Sequence, residues 1–272
     1  VQHFDTAPAS LVQSIWHHRQ LITAMTRREV LGRYRGSVFG LLWTLFNPLV
    51  MLTVYTFVFS VVFNARWGND GGSRVEFALV LFAGLMIFNL FAECINRAPT
   101  LILANVNYVK KVVFPLEILP LISLCTALFH MIISLCVWLV FYGVFFGWPP
   151  LTALWYPVVL LPLLLLIMGG SWLLSALGVY LRDTAQMVTV ATTMLMFLSP
   201  IFYPLSALPT AYQPLLLLNP LTPVIEMVRG CLIWGQAPAP GFLAVYYAVS
   251  GLVCWFGFVW FQKTRKGFAD VL

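Results

Sequence analysis

Apolar residues run through this chain in long unbroken blocks, and polar positions fall between the blocks instead of alternating with them. Charge-free stretches cover residues 36–65, 77–92, 118–181, 184–225 and 230–262. A helix needs roughly 20 mostly apolar residues to cross a bilayer, so several crossings are encoded. Gly147-Trp148-Pro149-Pro150 cuts the longest block in two, and Arg182-Asp183 marks the next contact with water. The pattern predicts six spans, at 36–63, 77–96, 116–146, 151–181, 184–203 and 242–261. Pro48 is expected to kink the first span, and the fifth to stop at Pro200 and Pro204. The predicted fold class is an all-α polytopic membrane protein.

Two segments break this pattern. In residues 11–31, Leu11, Ile15, Ile22 and Met25 fall on one side of a helix, while His18, Arg19, Arg27 and Arg28 are polar. Such a helix lies in the headgroup plane. The first ten residues hold no apolar run, so a signal peptide is not expected. Residues 205–235 are apolar but interrupted by Pro209, Pro214, Pro220 and Pro223. The pieces 212–218 and 222–234 are too short to cross and predict two short re-entrant helices. Thr222 is the expected cap of the second, with Pro223 in its first turn. The chain thus divides into an N-terminal region (1–35), a six-span domain (36–262) and a basic tail (263–272).

Composition sharpens the class. Of 272 residues, 61% are hydrophobic and 9% charged, against about 25% charged in a soluble domain. A soluble enzyme and a disordered chain are excluded. The net charge of +6 invites a nucleic-acid reading until its location is considered. With six spans, twelve of the 15 Lys and Arg residues fall on the side of the termini, and only Arg66, Arg74 and Arg229 on the other. By the positive-inside rule both termini are cytoplasmic, and topology accounts for the excess with no nucleic-acid partner. The five cysteines are scattered without a C-x-x-C pair, so neither a disulfide framework nor a zinc site is indicated.

Little catalytic chemistry is visible. His130 is the one histidine within a span, and no H-E-x-x-H or paired-carboxylate pattern surrounds it. Glu93, Glu117, Asp183 and Glu226 sit near span ends. Glu93 with Arg97, and Glu226 with Arg229, have the spacing of local ion pairs, so an ion-coupled carrier is poorly supported. No catalytic residue and no metal-ligand set is predicted. No phosphate-binding G-x-x-x-x-G-K-[ST] loop occurs, so ATP-driven work would fall to a partner. The polar connector 97–111 offers the best docking surface, with Asn105, Asn107 and Tyr108. Tyr55, Phe59 and Phe63 recur on one face of the first span, and Phe197, Phe202 and Tyr203 cluster near the end of the fifth. Such aromatics either stack on sugar rings or form a lipid-facing belt.

Four motifs occur in order between residues 20 and 235. They are Arg33-Tyr34-Arg35-Gly36-Ser37-Val38-Phe39-Gly40-Leu41-Leu42-Trp43 followed by Asn47-Pro48; Gly178-Val179-Tyr180-Leu181-Arg182-Asp183; Ser199-Pro200-Ile201-Phe202-Tyr203; and Asn219-Pro220-Leu221-Thr222-Pro223. Together they resemble the type-2 ABC exporter permeases for surface polysaccharides, most of all the O-antigen branch, with teichoic-acid and capsule exporters close behind. The resemblance implies a homodimer in the bacterial inner membrane, bound to two copies of a cytoplasmic ABC ATPase. The implied substrate is a polyprenyl-diphosphate-linked polysaccharide. ATP and Mg belong to the ATPase, and no cofactor is expected in this chain.

The same resemblance implies roles for residues. It places a coupling helix on Ala98, Leu101, Asn105, Asn107 and Tyr108, and a glycan channel along Tyr55, Phe59, Phe63, Phe197, Phe202 and Tyr203. Arg33 and Arg35 would lie near the lipid diphosphate. An outer gate over 205–235 would involve Tyr212, Asn219, Pro220, Pro223, Glu226 and Arg229. Two alternatives stay open: a membrane enzyme or flippase acting on lipid-linked sugars without an ATPase, and a type-2 exporter of a drug or haem.

Overall fold

The computed structural model describes residues 8–58, 67, 73–110, 114–209 and 211–272, which are helical almost throughout and contain no strand. Two short helices, α1 (Pro8–His17) and α2 (Arg19–Arg33), precede α3 (Trp43–Tyr55) and the long α4 (Arg74–Leu101). A small helix, α5 (Val106–Lys110), leads to α6 (Leu119–Phe146), α7 (Tyr156–Tyr180) and α8 (Thr184–Leu198). The short α9 (Gln213–Leu217) and α10 (Leu221–Leu232) follow, then α11 (Pro240–Thr264) and α12 (Phe268–Val271).

Five helical stretches are long and apolar enough to cross a membrane: Gly40–Val58, Val75–Leu101, Leu116–Phe146, Leu151–Tyr180 and Pro240–Val271. The predicted fifth span is shorter than expected. Its helix α8 has 15 residues, about 22 Å at 1.5 Å per residue, against a hydrocarbon core of about 30 Å. Ser199 is extended, with ψ 146°, as the proline ring of Pro200 requires of the residue before it. Pro200 alone therefore ends the helix, and residues 199–203 lie beyond it.

The predicted start of the first span is also corrected. Gly36 and Gly40 take φ values of 84° and 49°, in the left-handed region that glycine enters at little cost. The chain turns there, and regular helix begins only at Gly40–Leu42, a short 3-10 turn leading into α3. Predicted span two is extended at both ends, because α4 starts at Arg74 and continues through Pro99 to Leu101. The break at Gly147, with φ 82°, lies where the sequence put it.

Helix α4 is the axis of the domain. Its apolar window is 78% buried, against 11% for Gly40–Val58, and it packs against α6, α7, α8 and α10. Two fully buried indoles stitch this core: Trp138 Nε1 donates to the Leu79 carbonyl at 2.9 Å, and Trp172 Nε1 to the Glu117 carbonyl at 3.0 Å. Close approach elsewhere depends on small residues. A Cβ on Gly178 would collide with the Pro99 carbonyl, so the turn of α7 holding the Gly178–Asp183 motif lies directly on the C-terminal end of α4.

Candidate functional site

A polar stripe crosses the otherwise apolar α4. Asn89, Glu93, Asn96 and Arg97 recur at intervals of three and four residues and so share one face. The same period brings Thr44, Asn47, Met51 and Tyr55 together on α3, and Ala127, His130 and Ser134 on α6. These three faces enclose a cleft of about 330 Å³, closed at one end by Arg33 and Tyr34 from the end of α2. A second, more open cavity of about 730 Å³ continues it past Asn96 and Arg97. Apolar side chains such as Met51, Phe82, Leu85 and Met86 make up about half of the cleft wall, and Thr44, Asn47, Asn89, Ser134 and the rings of Tyr34 and Tyr55 are set among them. The amides and hydroxyls can pair with hydroxyl-rich groups.

The charges in the cleft hold one another. Arg33 Nη1 donates to Glu93 Oε1 at 2.7 Å, and His130 Nδ1 lies 3.0 Å from both Glu93 oxygens. The carboxylate can only accept, so Arg33 and His130 converge on it as donors. Arg33 Nη1 also lies 3.1 Å from His130 Nδ1, and the Tyr34 hydroxyl 3.4 Å from His130 Nε2. Burial pulls the Arg33 guanidinium down, but Glu93 more than offsets this, and its pKa is raised. One turn away, Arg97 pairs with Glu29 of α2. Glu29 and Arg33 thus face Arg97 and Glu93 as two crossed ion pairs clamping α2 to α4. The local pairing of Glu93 with Arg97 expected from spacing is replaced by contacts between helices, because both side chains point toward α2.

The clamp reaches the connector. Arg28 Nη2 donates to the Tyr108 hydroxyl at 3.1 Å, and the Tyr108 ring stacks on Phe114 at 4.5 Å. Asn107 is exposed, and Asn105 Nδ2 caps the end of α4 through the Leu101 carbonyl at 2.8 Å. Ala98 and Leu101 are buried within α4, so the accessible part of the connector is 104–110. Glu117 gathers three further elements. It accepts from Ser14 of α1 at 3.0 Å and from Arg265 at 2.7 Å, while its backbone carbonyl takes Trp172. Nearby, the Tyr180 hydroxyl of the Gly178–Asp183 motif donates to the Thr264 carbonyl at 2.8 Å.

At the opposite end of α4, Arg229 of α10 is fully buried. Its guanidinium donates to the carbonyls of Val80 (3.0 Å), Pro200 (2.5 Å) and Ile201 (2.9 Å) and to Glu226 (3.0 Å). The Trp67 ring covers it at 4.5 Å. The carbonyls of 200 and 201 lie in the turn just beyond α8, so one side chain from α10 satisfies the backbone that follows the helix. The expected i, i+3 pair of Glu226 and Arg229 is present within this larger network. Asn219 joins the same region: its Nδ2 donates to Ser199 Oγ at 2.9 Å, and its Oδ1 accepts from the Leu221 amide at 3.0 Å. Asn219 therefore caps α10. The expected cap, Thr222, lies inside the helix with its hydroxyl buried and unpaired among the described residues. The Pro220 carbonyl accepts from Tyr246, Pro223 is buried in the first turn, and Tyr212 is exposed before α9.

The predicted channel residues separate. Tyr55 lines the cleft. Phe197, Phe202 and Tyr203 form a cluster at the end of α8, the two phenylalanine rings 6.1 Å apart and the Tyr203 hydroxyl donating to the Phe197 carbonyl at 3.1 Å. Phe59 and Phe63 lie outside the described residues. Arg35 is exposed and makes no ion pair among the described residues. Asn47, Asn89, Glu93, Asn96 and His130 were not singled out as a site from sequence. The three- and four-residue spacing of polar side chains along α4 is the signal that marks them.

The chain thus combines helices of membrane-crossing length, a cleft carrying polar side chains and a short connector between the second and third long helices. The ABC-2 type transporter family matches residues 20–233, and the chain belongs to it. It is 29% identical over 262 residues to the O-antigen export system permease protein RfbA of Myxococcus xanthus, covering 96% of this chain and 98% of that protein. It is 26% identical over 253 residues to the O-antigen export system permease protein RfbA of Klebsiella pneumoniae, covering 93% and 95%. Similarity extends to the polysialic acid transport protein KpsM of Escherichia coli, 25% identical over 258 residues, covering 90% and 93%. The chain is thus a permease, not an enzyme.

Proposed function

We propose that this chain is the channel-forming subunit of an ATP-driven exporter that moves a lipid-linked polysaccharide of the O-antigen type out of the bacterial cytoplasm. The observation that carries this reading is the similarity over nearly the whole chain to polysaccharide export permeases, together with a cleft between long apolar helices in which Asn47, Asn89, Ser134 and Tyr55 sit among apolar side chains. A hydrated, repetitive glycan offers no single anchoring charge, and a lining of hydrogen-bonding groups and rings suits it.

In this account α8 completes a sixth crossing with residues 199–203, both termini are cytoplasmic, and the protein works as a homodimer. Two copies of a soluble ABC ATPase, carrying ATP and Mg, dock on the exposed connector through Asn107 and Tyr108. Arg35 is the cation available to the polyprenyl diphosphate, because Arg33 is already engaged by Glu93 and instead braces the mouth of the cleft. Phe197, Phe202 and Tyr203 form the outer end of the path, and α9–α10, anchored by Arg229 and Asn219, close it when it is empty.

Deleting the gene tests this reading. Surface polysaccharide is expected to disappear while its lipid-linked form accumulates inside the cell, with both effects reversed by the wild-type chain. Unchanged surface polymer would overturn it.

A further inference from the structure

A third cavity, of about 430 Å³, lies between α2 and α6, away from the cleft. Its walls are Ile22, Val30 and Leu31 of α2, Leu41 of the turn before α3, and Cys125 and Phe129 of α6, with Thr23, Thr26 and Arg27 as its polar members. His130, the next residue of α6, faces the polar cleft instead, so α6 separates the two spaces. Cys125 and Phe129 lie six and ten residues into α6, about 9–15 Å along its axis. That depth belongs to the acyl region next to a membrane surface.

The polar members give the groove a direction. Arg27 is exposed and makes no ion pair or hydrogen bond among the described residues, whereas Arg19, Arg28 and Arg33 of the same helix are all engaged. The Thr26 hydroxyl is buried with no oxygen or nitrogen partner among the described residues, and its neighbour is the weakly bonding thiol of Cys125. A free cation, a buried hydroxyl and an apolar trough follow one another. They match the phosphate, the ester carbonyl and one acyl chain of a glycerophospholipid. The open groove, about 430 Å³, gives room for part of one acyl chain.

We propose that this groove is a binding site for one anionic phospholipid, distinct from the path of the exported substrate, with the headgroup on Arg27, an ester carbonyl on Thr26 and an acyl chain between α2 and α6. The lipid would fix α2, the helix that also clamps α4 and touches the connector, in its packed position.

The test is native mass spectrometry of the purified full chain in detergent, titrated separately with phosphatidylglycerol, phosphatidylcholine and a polyprenyl phosphate. Phosphatidylglycerol is expected to bind at one copy per chain and phosphatidylcholine much more weakly. Arg27→Gln is expected to reduce phosphatidylglycerol affinity about fivefold, the effect of one cation at an anionic lipid surface. Arg27→Lys should retain it. Thr23→Trp, at an exposed position bordering the groove, should abolish retention while leaving the thermal midpoint of the lipid-free protein unchanged. Equal binding of phosphatidylcholine, undiminished binding by Arg27→Gln and Thr23→Trp, or polyprenyl phosphate displacing phosphatidylglycerol would each overturn the proposal. None of these readouts depends on transport, so the result is independent of the export function.

Discussion

Arg229 donates a 2.5 Å hydrogen bond to the carbonyl of Pro200, 29 residues earlier in the chain, and so ties α10 to the end of α8. The same guanidinium holds the carbonyls of Val80 and Ile201. Each of these acceptors is buried, and an unpaired buried polar group costs about 1–3 kcal/mol. Arg229→Leu leaves three carbonyls and Glu226 without their donor, and a loss of about 3–5 kcal/mol is expected. Thermal unfolding in detergent measures it. Arg229→Lys should recover little, because an ammonium cannot reproduce the planar fork. A stable Arg229→Leu variant would mean that the network is not structural.

Gly178 is the tightest point between α7 and α4. Alanine there must push the Pro99 carbonyl away, and overpacking of this kind costs about 1–3 kcal/mol. Gly143 has open space around its Cβ position, so Gly143→Ala serves as the control and is expected to be neutral or slightly stabilising. Comparing the thermal midpoints of the two variants checks this.

Arg33 and Arg35 are two residues apart and are expected to fail differently. Arg33→Gln breaks the pair with Glu93, and a double-mutant cycle on the two should give a coupling of about 1 kcal/mol, since the arginine is partly solvent-exposed. Arg35→Gln should leave stability unchanged and lower the rate of export at limiting substrate. Equal effects of both on stability would remove the assignment of Arg35 to the diphosphate.

The connector supplies a proximity test. Cysteine at the exposed Asn107 is expected to crosslink to the ATPase in native membranes. Cysteine in place of the buried Leu101 should not. Crosslinking from Leu101 alone would reverse the docking surface.

Five of the six predicted spans correspond to long apolar helices, because lipid solvation demands unbroken apolar runs, while the fifth predicted span is cut to the 15 residues of α8 by Pro200. The start of α3 was not legible in the sequence, since Gly36 and Gly40 look like any other small residues in an apolar run until their φ values are known. The ion pairs went astray for a related reason. Spacing brings Glu93 and Arg97 onto one face, but only the position of α2 shows that this face meets Glu29 and Arg33. Likewise Thr222-Pro223 carries a helix-start signature, yet Asn219, three residues earlier, reaches the free amide first. The cleft was legible in principle through the stripe of Asn89, Glu93 and Asn96. It was obscured because Glu93 and Asn96 sit near the predicted span end, where a polar side chain needs no special explanation, and Asn89 alone in mid-helix makes no pattern.

The central claim is that this permease works with an ATPase on a lipid-linked glycan. A tagged chain recovered from its native membrane in mild detergent, with mass spectrometry of its proteins and lipids, tests it most directly. The account predicts a stoichiometric soluble ABC ATPase together with polyprenyl-linked polysaccharide. Recovery of the chain with neither would contradict it.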